Sequence, residues 1–342
     1  MNNDKPKVIT ITKVGLLAQW TDSGRRFSQL TGYSQSGAVD WFSFQLGNAL
    51  CGNSLDSPSI EVMGGMMSFQ ISDDCVISIT GAKADILVNN YQMQMNRLLR
   101  LKSGDEVSIG QVEAGLFTYI SFAASFTLPL FKESVCAVRR EKAGGTHGNG
   151  LGLKVNERFE FHQVNEFSRS AASNLFKKSY LQIALPPLFH SLESQQFSNH
   201  KQLPMMFSYQ HASFTNIDKH RLMGHNYTVS SKFDKMGIRL HGARIYSQSS
   251  VLTSQAMANG AIQVPGDGQP IIMRNDRQTI GGYPVIGVIS SVGLAVLSQV
   301  TAHEVLSFIP TNIETSIISR RFINIQLNRV LNEVRTLVTN AQ

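Results

Sequence analysis

Hydrophobic positions in this chain come in short bursts rather than long stripes. Val8-Ile9-Thr10-Ile11-Thr12, Cys75-Val76-Ile77-Ser78-Ile79, Ala84-Asp85-Ile86-Leu87-Val88 and Phe117-Thr118-Tyr119-Ile120-Ser121-Phe122 are rich in β-branched and aromatic residues and bounded by Gly, Asp, Asn or Ser. Many such runs with little helix between them predict a mainly β protein built as barrels or sandwiches, not a doubly wound sheet. Residues 261–273 give the clearest hairpin signal: two apolar runs flank Pro265-Gly266-Asp267-Gly268, where glycine supplies positive φ without steric cost. Pro265 and Pro270 cannot donate ladder hydrogen bonds, which places them at strand ends.

Helical periodicity is confined to few segments. Residues 43–50 predict a short helix ending near Gly52. At the C-terminus, Ile323, Leu327, Val330, Val334 and Leu337 recur at spacings of a helix face, with Thr311 and Glu314 as a capping box. Arg320, Arg321, Arg329 and Arg335 decorate this amphipathic helix. Residues 139–203, rich in Gly and polar clusters, predict loops and an inter-domain connection with a boundary near 195–205. The expected organisation is an N-terminal half over 1–200, a C-terminal half over 201–316, and the helix over 317–342.

Composition narrows the function classes. The 342 residues include 31 Lys+Arg against 24 Asp+Glu, a formal +7, yet only 16% are charged where about 25% is usual. The basic residues form no tract interleaved with aromatics, so nucleic-acid binding is not expected. No run approaches a signal peptide or a spanning helix, which points to the cytoplasm and away from membranes. Cys51, Cys75 and Cys136 share no metal spacing and are expected as buried free thiols. The glycine-rich run 144–154 lacks the Gly-x4-Gly-Lys-Ser/Thr order that holds phosphate, and reads as a loop.

Two polar, glycine-rich tracts carry the candidate chemistry. The first holds Asp22, Gly24, Arg25, Ser36, Asp40, Asn48 and Glu61; the second holds Gln263, Gln269, Asp276, Arg277, Gly281, Gly282 and Tyr283. Such loops suit a small polar substrate, with Arg forking onto a carboxylate and carboxamides reading amide edges. The same residues could instead brace turns, with Asp22/Arg25 and Asp276/Arg277 as salt bridges. As an active site, Asp40, Glu61 and Asp276 are candidate proton acceptors, Arg25 and Arg277 candidate anion holders, and Asn48, Gln263 and Gln269 candidates for orienting amides. Asp22, Ser36, Gly281, Gly282 and Tyr283 complete the expected substrate-binding set.

At these tracts the chain resembles the family of the 5-oxoprolinase C subunit, also described as allophanate hydrolase subunit 2 or the biotin-dependent carboxyltransferase A/B domain, which includes the antagonist of a sporulation kinase inhibitor. The resemblance covers residues 14–310. It rests on Asp22-x-Gly24-Arg25, Ser36-Gly37-Ala38-x-Asp40, Leu46-Gly47-Asn48-x-Leu50-x-Gly52-Asn53, Thr80-Gly81-Ala82, Met236-Gly237-Ile238-Arg239-Leu240 and the block 260–284. It implies two cyclophilin-like β-barrel domains. It further implies a cytoplasmic subunit that opens 5-oxoproline to glutamate with ATP, alongside a kinase-inhibitor-like paralogue and a third subunit. ATP is the expected cofactor, bound by this chain or by a partner. No metal or biotin attachment site is expected. The alternatives are a non-catalytic antagonist of the paralogue and a carboxyltransferase acting on urea-like amides. The chain departs from the family pattern at Thr21, at 133–138, at Lys235 and at Ser254-Gln255. Lys for Arg loses a fork, and Gln for Glu loses a charge.

Overall fold

A computed structural model describes residues 6–163, 167, 174–176, 180–248 and 254–341. The chain forms two compact units, neither continuous in sequence. The first takes Met1–Gly24, Trp41–Pro186 and Ile325–Gln342; the second takes Arg25–Asp40 and Pro187–Asn324.

The first unit is an 11-stranded sheet. Its strands are β1 (Val8–Lys13), β2 (Leu17–Thr21), β3 (Ser59–Met63), β4 (Gly65–Ile71), β5 (Cys75–Val88), β6 (Tyr91–Met93), β7 (Leu98–Leu101), β8 (Glu106–Phe122), β9 (Ala124–Phe126), β10 (Arg158–Gln163) and β11 (Tyr180–Leu181). The β-branched runs read from sequence are β1, β5 and β8. The alternation of β1 sends Ile9 and Ile11 into a core with Trp20, Ile60, Phe69, Ile77, Ile120 and Phe122. Trp20 packs edge-on against Phe159 at 5.4 Å.

Helix α1 (Trp41–Leu50) lies against β5 and β8. Its close approach accounts for Gly47 and Thr80, and the approach of β8 for Gly81. A Cβ on Gly47 would stand 2.6 Å from Ser121 Oγ and 3.1 Å from Thr80 Oγ1. Thr80 Oγ1 itself donates to the Ser43 carbonyl at 2.7 Å. Gly81 has φ +100, and a Cβ there would meet the Phe117 carbonyl at 2.4 Å.

The second unit is a closed seven-strand barrel, in the order β12-β19-β16-β17-β14-β13-β20. The members are β12 (His200–Phe207), β13 (Tyr227–Phe233), β14 (Gly237–His241), β16 (Ala261–Gln263), β17 (Ile271–Met273), β19 (Val285–Ile289) and β20 (Val305–Pro310); the short strands β15 (Gln255–Ala256) and β18 (Ile280–Gly281) pair outside it. The hairpin expected over 261–273 is present: Ile262 faces Ile272 and Gln263 faces Ile271. Leu203, Val229, Ile238, Leu240, Ile262, Ile272, Ile286 and Leu306 fill the interior.

Helices α2 (Pro187–Gln196), α3 (Asn216–Gly224) and α4 (Ser291–Ser298) belong to the second unit, and α5 (Ile313–Ala341) closes the chain. The stretch 139–203 is more ordered than its polarity suggests, since it contains β10 and α2; residues 164–166, 168–173 and 177–179 lie outside the described residues. The cap of α5 is also corrected. Asn312 Oδ1 accepts the Thr315 N–H at 2.8 Å, because the helix starts at Ile313 and Asn312, not Thr311, is placed to reach the third amide.

Candidate functional site

In the first unit, the polar candidates hold the main chain in place. Asp22 Oδ1 accepts from the Gly24 N–H at 2.8 Å and the Ser134 hydroxyl at 2.7 Å, and Oδ2 accepts from the Val135 N–H at 2.9 Å. Thr21, at the departure from the family pattern, has its Oγ1 3.4 Å from Cys136 Sγ. Asn48 Nδ2 donates to the Ser57 carbonyl and Ser59 Oγ, while its Oδ1 accepts from Asn53 Nδ2 at 3.0 Å. Glu61 is buried on β3, accepting from Gln19 Nε2 at 3.2 Å and from the Tyr119 hydroxyl at 2.8 Å. These two bonds tie β3 to its neighbours β2 and β8.

The second unit gathers the rest. Ser36 adopts φ +57 and donates its hydroxyl to Asp276 Oδ1 at 2.7 Å, while its N–H donates to the Asn275 carbonyl at 3.0 Å. Asn275 Nδ2 answers by donating to the Ala38 carbonyl at 3.0 Å. Segment 25–40 is thus clamped to the turn that follows β17. Arg25 is fully buried, its N–H donating to the Gln35 carbonyl at 2.7 Å. Asp40 is fully buried, and its Oδ2 accepts from Gln196 Nε2 at 2.9 Å and Gln299 Nε2 at 2.7 Å.

Beside that clamp lies the Arg277 guanidinium, 3% exposed. Its Nε donates to the Met257 carbonyl at 2.8 Å and its Nη1 to the Arg274 carbonyl at 3.3 Å, so its orientation is fixed. Burial pushes its pKa down to about 10 against the opposing pull of Asp276, which leaves it charged at neutral pH. Among the described residues Nη2 has no hydrogen-bond partner. The Met257 carbonyl also accepts from Gln29 Nε2 at 3.1 Å.

Gln263, at the end of β16, is 1% exposed, and its Nε2 donor is buried without a partner. It presses on Gly281: a Cβ at 281 would stand 2.6 Å from both Gln263 Nε2 and Met257 Cε. Arg277 is thus held on the Met257 carbonyl, Asp276 on the Ser36 hydroxyl, and Gln263 and the Met257 side chain both border Gly281. Among the described residues a Cβ at Gly282 would meet only Ser254 Oγ, at 3.9 Å, and Tyr283 is half-exposed. Gln269 points elsewhere and braces the hairpin, its Oε1 accepting the Gly242 N–H at 2.9 Å and its Nε2 donating to the Gly242 carbonyl at 3.2 Å. Gln255 pairs with Gln210 Oε1 at 2.8 Å.

Sequence reasoning missed Gln29, Met257, Arg274 and Asn275. The last two adjoin Asp276-Arg277 and could have been found from that adjacency. Gln29 and Met257 act through contacts 228 residues apart and leave no local signal.

Alanine at Gly281 is expected to displace the Gln263 amide, since neither the Gln263 nor the Met257 contact leaves room for a methyl group. We expect KM for the substrate to rise about tenfold with kcat little changed, as for loss of a contact made equally in ground and transition states. Steady-state kinetics on the Gly281→Ala protein would show it; an unchanged KM would separate Gln263 from binding.

Among the described residues, no group of three His, Cys, Asp or Glu side chains could hold a metal ion. The three cysteines are free and buried. In the glycine-rich run, Gly148 N–H donates to the Gly145 carbonyl, Gly150 N–H to the Gly144 carbonyl and Leu151 N–H to Asn149 Oδ1, so these three amides are used within the run itself. No described helix is long and apolar enough to cross a membrane.

A two-unit β architecture with a polar cluster at one barrel's strand ends defines the class of protein. The family model for the carboxyltransferase domain, subdomains A and B, matches residues 31–310, and the chain belongs to that family. It is 26% identical to the C subunit of 5-oxoprolinase from Haemophilus influenzae over 324 residues, covering 94% of this chain and 97% of that one. Identity to the C subunit of 5-oxoprolinase from Escherichia coli is 23%, covering 92% and 94%. The urea carboxylase structure from Kluyveromyces lactis superposes with a TM-score of 0.84 at 21% identity, over 96% of this chain and 29% of that one, which shows the shared fold.

Proposed function

We propose that this chain is one subunit of an ATP-dependent 5-oxoprolinase-type hydrolase, which opens the lactam of 5-oxoproline to glutamate in the cytoplasm. Its partners in that reading are a kinase-inhibitor-like paralogue and a third subunit. Two observations support it: a fixed, buried guanidinium with Nη2 to spare is held on the Met257 carbonyl, and the buried, unpartnered Gln263 Nε2 borders Gly281 together with the Met257 side chain. Two donors of this kind match a small molecule bearing a carboxylate and an amide oxygen. Arg277 would hold the carboxylate, and Gln263 Nε2 would donate to the lactam oxygen.

In the net reaction one water gives its hydroxyl to the carbonyl carbon and a proton to the leaving nitrogen as the C–N bond breaks, while a second water is consumed as ATP goes to ADP and phosphate. Asp276, whose Oδ1 accepts the Ser36 hydroxyl, would take the proton of that water. In this reading the nucleotide is bound by this chain or by a partner subunit. Likeness to urea amidolyase of Saccharomyces cerevisiae, 25% identical over 91% of this chain but 17% of that one, supports a second reading as a carboxyltransferase on urea-like amides. Urea has no carboxylate for Arg277, so the geometry favours 5-oxoproline.

Co-purification tests the reading. Chain and partners expressed together should travel as a complex that releases glutamate from 5-oxoproline only with ATP. A stable complex without turnover would favour the non-catalytic antagonist instead, and turnover of urea with a biotin donor would favour the carboxyltransferase.

A further inference from the structure

The buried face of α5 is formed by Ile323, Leu327, Val330, Val334 and Val338. Its opposite face is also apolar. Ile318, Phe322 and Ile325 stand 66%, 51% and 61% exposed, flanked by the exposed Glu314, Arg321 and Arg329. At 3.6 residues per turn all six fall within an arc of about 100°, a seam about 22 Å long. Arg329 spends one donor on Gln326 Oε1 at 3.3 Å.

This seam is self-complementary when read in reverse. Placed antiparallel to a second copy about an axis between residues 321 and 322, Ile318 meets Ile325 of the second copy, and the reverse holds by symmetry. In the same register Glu314 meets Arg329 of the second copy, and Phe322 offers its ring face to Arg321 of the second copy. An isologous interface demands this reciprocity, with each residue facing the same partner from both sides. A parallel arrangement would instead set Arg321 and Arg329 against themselves. We infer that the exposed face of α5 pairs antiparallel with a second copy of this chain to form a two-fold homodimer. A contact of this size belongs to the weak, concentration-dependent class.

Sedimentation velocity on the full chain from about 1 to 200 µM should show a monomer–dimer equilibrium. Phe322→Asp, at an exposed position, should weaken self-association at least tenfold with the circular dichroism unchanged. Glu314→Arg and Arg329→Glu should each weaken it several-fold, and the two together should restore it, because the reversed charges meet again across the axis. Ile318→Cys with Ile325→Cys should give disulfide-linked dimers on mild oxidation. The native thiols compete poorly, since all three are buried and burial holds Cys51 and Cys75 in the neutral form. A monomer at every concentration, a dimer indifferent to Phe322→Asp, or a charge pair that fails to rescue would overturn the inference. So would a seam that binds only the other subunits of the complex.

Discussion

Arg277→Ala in the assembled complex is expected to lower kcat/KM for 5-oxoproline at least ~100-fold, roughly 2.7 kcal/mol of transition-state binding. The size follows from burial. The guanidinium has left water, its pKa has fallen to about 10, and Asp276 offsets only part of that cost. A substrate carboxylate at Nη2 would complete the compensation in a medium where charge-assisted hydrogen bonds are strong. Alanine also strips partners from the Met257 and Arg274 carbonyls, so lost activity alone would be ambiguous. The lactam lacking a carboxylate, 2-pyrrolidinone, resolves this. It should be a poor substrate for the wild type, and the Arg277→Ala change should lower its turnover little further. Equal losses on both substrates would remove Arg277 from carboxylate binding. Arg277→Lys should recover only part of the activity, since an ammonium cannot hold two carbonyls and a carboxylate in one plane.

Asp40→Ala should act on stability instead. Two carboxamides, Gln196 and Gln299, converge on one Asp40 oxygen inside the second unit. Removing the acceptor leaves buried donors behind, at a cost of about 3 kcal/mol, or roughly 6–10 °C in Tm. Asp40→Asn keeps an acceptor oxygen and should lose less than half as much. Activity per folded molecule should be nearly unchanged in Asp40→Asn. If that variant is fully folded yet inactive, Asp40 is a proton acceptor in catalysis and the bracing role fails.

The parts of this molecule legible in sequence are those with a local period. The β-branched runs became β1, β5 and β8, the Pro-Gly-Asp-Gly hairpin joined β16 and β17, and Ile323, Leu327, Val330 and Val334 form the buried face of α5. The candidate site was legible only as two tracts of polar and glycine residues. Within them, ligand-facing and main-chain-facing groups use the same chemistry: Asp22 and Asp276 are both carboxylates beside a turn, yet Asp22 is filled by Ser134 and Val135 while Asp276 holds Ser36. Asn48 and Gln263 are both carboxamides, yet only the Gln263 donor is left unpaired. What separates them is which segments converge on each, at separations from 5 residues for Asn48–Asn53 to 240 for Ser36–Asp276.

The clamp between Ser36 and the turn at Asn275 also bears on synthesis. Domains of most proteins fold as units, N-terminal part first, as the chain is made. Here the residues that fix 36–38 are made about 240 positions later, and the first unit also takes in Ile325–Gln342. Vectorial folding is therefore denied to both units. Segment 25–40 must wait for its clamp at Asn275–Asp276, and Asp40 for Gln196 and Gln299, until nearly the whole chain exists, and chains released early would keep this segment in water.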